Sequence, residues 1–266
     1  MKKIGIVLVG YGGIGRIHTL ALRQLPVIYP DTAPDFDLLG VCMRSEDKAK
    51  QAAQEAGCSR WYGSYEDVLR DESVGIIDLV IPNDLHLSMI EKAMRAGKHV
   101  LCEKPLSVHR GEAETVVKIV RDSPGTLGMV FNYRFVPALL KAKEMMDRGV
   151  LGRIYNFRGE YYHTGYQDPE RPLTWRMDFS RSGGGAMVDM GVHVIDLVRY
   201  LLGEFDSVQA MTETYIPERP LEKGSKQKGK VTVDDAAWMN VRMAGGAVGS
   251  IEVSRFATGT LDDLHL

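Results

Sequence analysis

Six residues near the start limit this chain more than any other feature. Gly10-Tyr11-Gly12-Gly13-Ile14-Gly15 follows a short apolar run at 4–9 and opens an amphipathic stretch at 14–25. The G-x-G-x-x-G spacing suits a strand-to-helix turn. Its first glycine permits the tight reversal, its second leaves bare backbone, and its third lets helix and strand pack closely. The N–H groups of the helix start have no intrahelical acceptor and face whatever sits over the turn, which favours an anion. Glycines alone make only a permissive turn. Between a buried strand and a helix, with the backbone of Gly13 and Ile14 completing the loop, they point to the pyrophosphate of a dinucleotide, NAD(P).

The rest of the first half repeats this unit. Apolar runs at 38–43, 76–81 and 99–102 read as strands buried on both faces, and 46–56, 85–96 and 111–120 carry helical spacing. Gly57 and Gly97 stand where helices end. A strand at 126–132 and a helix at 136–148 extend the series. Alternating strands and helices predict a doubly wound parallel sheet, an α/β Rossmann domain over 1–125. After Gly152 the runs at 154–163, 207–215, 231–243 and 248–256 are longer and alternate apolar with polar residues, as antiparallel strands do. One helix at 186–202 interrupts them, and 217–230 reads as a charged loop. The second domain, 126–266, is therefore expected to be α+β with a mostly antiparallel open sheet. Its last residues, Leu261 to Leu266, carry no cap, turn or polar tail, and it reads as truncated at the C-terminus.

Charge and cysteine usage exclude several classes. Lys plus Arg total 33 and Asp plus Glu 35, a net charge of -2 with no basic run, so no nucleic-acid partner is expected. Met1-Lys2-Lys3 and the apolar residues after it imitate a signal peptide, but that run is short and lacks a small-residue cleavage site. No stretch reaches the roughly 18 apolar residues of a membrane span. Cys42, Cys58 and Cys102 form no C-x-x-C pair, which fits a cytoplasmic protein.

Three further clusters carry chemistry. At the tip of the second strand, Val41-Cys42-Met43-Arg44-Ser45 offers no carboxylate for a ribose 2′-hydroxyl. Arg44 and Ser45 suit a 2′-phosphate, which sets NADP slightly ahead of NAD. Glu103-Lys104-Pro105 follows a buried strand at its carboxyl end, where open α/β sheets bind ligands, as do Pro82, Asn83 and His86 after the preceding strand. Asp189 and His193 lie four apart, on one face of a helix entered through Gly183-Gly184-Gly185. A carboxylate beside an imidazole suits a general base; a surface ion pair is the commoner reading of such spacing, but the three glycines and the apolar run Val194-Ile195-Asp196-Leu197-Val198 mark a buried helix. A metal site would need a third ligand such as His163 or Glu160, and none is expected.

Together, the glycine loop, Gly97-Lys98-His99-Val100-Leu101-Cys102-Glu103-Lys104-Pro105, Asn132-Tyr133-Arg134-Phe135 and the Asp-x-x-x-His helix resemble the Gfo/Idh/MocA family, the glucose–fructose oxidoreductase and inositol dehydrogenase group. The resemblance implies that Lys104, Asp189 and His193 are the catalytic trio. It implies that Gly10, Gly12, Gly13, Ile14, Gly15, Arg44, Ser45, Pro82, Asn83, His86, Glu103 and Lys104 line the cofactor, with a cis bond at Lys104-Pro105. Tyr133, Arg134, Trp175, Arg176 and His193 would meet the substrate, a sugar, cyclitol or related polyol, in a homodimer or homotetramer built through the open sheet. The activity implied is hydride transfer between a secondary alcohol and nicotinamide. A regulator that binds the cofactor without turnover, and a glycosidase that oxidises its sugar transiently, are the alternatives.

Overall fold

The structure is a computed structural model that describes residues 3–266, and it divides into two compact units, Met1–Val130 and Phe131–Leu266. In the first, the elements run β1 (Ile4–Val9), α1 (Gly13–Ile28), β2 (Phe36–Cys42), α2 (Glu46–Ala56), β3 (Arg60–Tyr62), α3 (Tyr65–Arg70), β4 (Val74–Leu79), α4 (His86–Arg95), β5 (His99–Cys102), α5 (Arg110–Arg121) and β6 (Leu127–Met129). The sheet is wholly parallel in the order β3-β2-β1-β4-β5-β6. The strand order reverses between β1 and β4, so a crevice opens beyond their carboxyl ends. Gly10, the turn after β4 and the turn after β5 all leave the sheet at that edge.

Local chemistry sets these bounds. Five of the six residues of β1 are buried, and Val7, Ile77, Leu79, Ile90, Val100 and Val116 share one core. Ser45 caps α2, its Oγ accepting the Lys48 N–H at 3.4 Å, and Gly57 ends that helix at φ 62°. The short β3 and α3 carry too few apolar residues to signal themselves, and α3 is started by Ser64, whose Oγ accepts the Glu66 N–H. The first unit extends past residue 125 because β6 hydrogen-bonds to β5 as a sixth parallel strand.

In the second unit α6 (Pro137–Asp147), β7 (Asn156–Tyr162), α7 (Phe179–Ser182), α8 (Val192–Leu202) and β8 (Phe205–Glu213) are followed by β9 (Glu218–Pro220), β10 (Lys228–Lys230), β11 (Ala236–Met243), β12 (Val248–Ser254) and β13 (Asp263–His265). The five-stranded sheet runs β13-β7-β12-β11-β8, antiparallel except for the parallel pair β7–β12. α8 lies on one face, where Val194 and Val198 pack with Met239, Val241, Ile251 and Val253. Gly159 of β7 permits that approach: a Cβ there would stand 2.6 Å from Val194 Cγ1.

Three expectations change. The segment 217–230 is no plain loop, because β9 and β10 pair as an antiparallel hairpin. Arg219 of β9 is completely buried and donates to the carbonyls of Tyr166 and Asp168. β11 begins at Ala236 rather than 231, since Asp234 and Asp235 turn aside to bond backbone N–H groups. The helix expected at 186–202 starts as a π turn over Met187–Gly191 before α8. Among the described residues no helix is long and apolar enough to cross a membrane.

Candidate active site

The glycine loop is shaped as its spacing predicts. At Gly10, φ is +95° and a Cβ would fall 2.2 Å from Val80 O, while one at Gly15 would fall 2.8 Å from Gly10 O. These glycines are required by backbone geometry and by helix–strand packing. Gly12 and Gly13 differ: an added Cβ would meet nothing within 4 Å. Their backbone faces open space at the start of α1, whose first turn carries no acidic side chain. The residues present therefore fit a pyrophosphate. At the tip of β2, Arg44 is exposed and Ser45 caps α2, with Glu46 and Asp47 in the first turn of that helix.

The turn after β5 is fixed from two directions. The Lys104-Pro105 bond is cis. Glu103 Oε1 meets His18 Nε2 of α1 at 3.0 Å, and Glu103 Oε2 accepts the Lys104 N–H at 3.1 Å. His18 Nδ1 lies 2.9 Å from Oδ2 of Asp78, a carboxylate buried within β4. On the other side, His86 Nδ1 is 2.8 Å from the Pro105 carbonyl and its Nε2 is 3.1 Å from that of Ile81. His86, expected beside the cofactor, is fully buried and ties the β4 and β5 turns together. Burial lowers its pKa, opposed by the bonds to these carbonyls.

Within the second unit lies the helix that carries Asp189 and His193. Its start is capped by Asp234, whose carboxylate accepts the N–H groups of Gly185 (2.8 Å) and Met187 (2.7 Å). Only glycine fits at 185, where a Cβ would stand 1.7 Å from Asp234 O. Asp189 sits in the π turn and accepts from Arg255 Nη2 at 3.0 Å. Arg255 is 1% exposed and lies over the ring of Tyr166, 4.4 Å from its centroid. His193 is buried at the start of α8. The edges of Tyr133 (4.9 Å between centroids) and Phe131 (6.3 Å) meet its ring, with Tyr161 at 6.2 Å, and the hydroxyls of Tyr133 and Tyr161 bond at 2.8 Å. π turns recur at functional sites because they redirect side chains that a regular helix would hold in register.

The remaining expected substrate residues divide. Trp175 is half-buried, not core, with the Arg176 guanidinium 4.5 Å over its ring. Tyr133 reaches His193, and the Arg134 guanidinium pairs with Asp196 of α8 through both Nε (2.7 Å) and Nη2, which anchors the helix. His163 Nδ1 accepts the Gly165 N–H, and burial and the Arg255 charge lower the ring's pKa, keeping it neutral. Glu160 pairs with Arg158. Among the described residues no group of three or more His, Cys, Asp or Glu side chains is arranged to hold a metal ion.

The sequence reading missed His18, Asp234 and Arg255. Only the first left a trace: Asp78 interrupts the apolar run Ile76-Ile77-Asp78-Leu79, and a carboxylate buried in a strand requires a cationic or hydrogen-bonding partner.

Comparison with known proteins agrees with this geometry. Residues 4–131 match the oxidoreductase family with an NAD-binding Rossmann fold, and 139–265 match the GFO/IDH/MocA C-terminal domain. The levoglucosan dehydrogenase of Pseudarthrobacter phenanthrenivorans is 36% identical over 271 residues, covering 97% of this chain and 69% of that protein. Myo-inositol 2-dehydrogenase of Thermotoga maritima is 27% identical, over 96% and 69%. The structure of levoglucosan dehydrogenase in complex with NADH and levoglucosan superposes with a TM-score of 0.93 at 36% identity, over 99% of this chain and 71% of that one. With both of its units matched, and relatives of this similarity along nearly its whole length, the chain belongs to the GFO/IDH/MocA family of oxidoreductases.

Proposed function

We propose that this chain is an NAD(P)-dependent dehydrogenase acting on a secondary alcohol, or the corresponding ketone, of a sugar, cyclitol or related polyol. The observation that carries the reading is the open cradle over Gly12 and Gly13 in a chain 36% identical to a levoglucosan dehydrogenase. The first unit serves the cofactor and the second the substrate. When bound, the nicotinamide supplies the hydride acceptor or donor at its C4.

The chain's own residues supply the rest. Lys104, at the carboxyl end of β5, holds the substrate hydroxyl and stabilises the negative charge that grows on its oxygen. His193 takes the hydroxyl proton as general base, and the rings of Phe131, Tyr133 and Tyr161 packed against it hold its orientation. Asp189, held by Arg255, orients the imidazole. Trp175 and Arg176 offer an apolar face and donors to a polyhydroxylated ligand. Arg44, with no carboxylate on the strand tip itself, supports NADP modestly over NAD. The same reading makes the protein a cytoplasmic enzyme of carbohydrate metabolism, a homodimer or homotetramer joined through the open sheet, where Val208 and Met211 of β8 are exposed.

A panel of sugars, inositols and sugar acids, run with both nucleotides and read by absorbance of the reduced form, tests the proposal. Turnover that is lost in Lys104→Ala and His193→Ala supports it; normal turnover in both variants overturns the assignment of roles. Tighter binding of NAD than NADP in a titration overturns the reading of Arg44.

A further inference from the structure

We propose that His18 is a positioning residue for Lys104: its imidazole, clamped between Asp78 and Glu103, aims the Glu103-Lys104-Pro105 turn from the helix that carries the glycine loop. The inference rests on the reading of Lys104 as catalytic. Both ring nitrogens of His18 face carboxylate oxygens, at 2.9 and 3.0 Å, and only the doubly protonated ring donates to both. Glu103 then has one oxygen on His18 and the other on the Lys104 N–H. A continuous chain of charge-assisted bonds thus runs from α1, one turn past its start, to the peptide that sets the direction of the lysine. The Pro105 end of the turn is held separately by His86.

Asp78 explains why the link is a cation. It is 1% exposed in a parallel strand, where an unpaired carboxylate is strongly disfavoured, and His18 neutralises it. A histidine kept only for that purpose would need one ring nitrogen; here the second reaches Glu103. Because α1 also presents its N-terminus to the cofactor, the lysine's position is tied to the element that receives the pyrophosphate.

The test is a double-mutant cycle in the full chain, with His18→Ala, Lys104→Ala and the double variant compared by steady-state turnover and by fluorescence titration with reduced nucleotide. His18→Ala is expected to lower kcat roughly 10- to 100-fold while nucleotide Kd stays within about threefold. In the Lys104→Ala background the same change should cost less than about threefold, because the group it aims is gone. An equal loss in both backgrounds, or no loss in either, overturns the proposal. Glu103→Gln cuts the link while leaving Asp78 paired, and it should reproduce the non-additivity even where His18→Ala folds poorly. If Lys104→Ala itself retains full turnover, the functional reading falls and this inference with it. If Lys104→Ala is inactive and His18→Ala normal, only the inference falls.

Discussion

Arg255, buried against Tyr166, donates from Nη2 to Oδ2 of Asp189 at 3.0 Å, so the carboxylate of the π turn is held by the residue just past β12, 66 positions away in sequence. Replacing it should disturb Asp189 without touching the glycine loop. We expect Arg255→Met to lower kcat roughly tenfold or more, with reduced-nucleotide binding unchanged. Arg255→Lys should recover little, since an ammonium neither stacks on Tyr166 as a guanidinium does nor keeps its fork geometry. Steady-state kinetics and nucleotide titration on the two variants decide this, and wild-type kcat in Arg255→Met refutes the positioning of Asp189.

The glycine loop predicts a split between stability and binding. Gly12→Ala places its methyl group in open space over the loop, so the thermal midpoint should hold while Kd for NAD(P)H rises roughly tenfold or more. Gly15→Ala drives a methyl against Gly10 O and should cost about 1–3 kcal/mol of stability. Thermal melts alongside nucleotide titrations separate the two, and equal binding by Gly12→Ala and wild type would remove the pyrophosphate from this loop.

These contrasts also mark what a reader of the sequence can see. β1, α2 and β5 occupy the spans that their residues predict because the signals are local: a continuous apolar run, or a Ser45 cap and a Gly57 stop. Lys104 and His193 were legible as types, a lysine past a strand end and a histidine on an apolar helix. The hairpin of β9 and β10 was not, since Glu218–Pro220 and Lys228–Lys230 lack apolar alternation and are anchored by the buried Arg219. Nor was the π turn, because i, i+4 spacing reads the same whether a turn closes on the fourth or fifth residue. Asp78 announced that it needed a partner, but nothing local could say that the partner lay 60 residues earlier, on α1.

Arg134 offers a direct check on one residue expected at the substrate. Its pairing with Asp196, which is nearly buried on α8, makes it a support for the helix that bears His193. Arg134→Met leaves that carboxylate without its cation and should lower stability by about 1–3 kcal/mol, with substrate KM within about twofold of wild type. A steep rise in KM with an unchanged thermal midpoint would return Arg134 to the substrate.

The His18 clamp carries a pH signature of its own. Burial pulls the imidazole pKa down, but hydrogen bonds to Asp78 and Glu103, reinforced by their charges, outweigh it and carry the pKa up to about 10. In the unfolded chain the ring titrates near 6.5. A pKa raised on folding contributes stability that is complete below pH 6.5 and is lost as pH rises through about 10. The groups facing the ring are Asp78 from β4 and Glu103 after β5. Burial raises the Asp78 carboxyl, which His18 opposes. The neighbouring Cys102 thiol is pushed by burial above this window, so it adds no slope there. The thermal midpoint of the wild-type chain should therefore fall between pH 7 and pH 10, by roughly 5 °C from this source. His18→Gln, which has no such proton to lose, should start lower at pH 7 and decline less over the same range. Melting curves of both proteins at closely spaced pH values test this, and parallel declines would show that His18 is not a charged clamp.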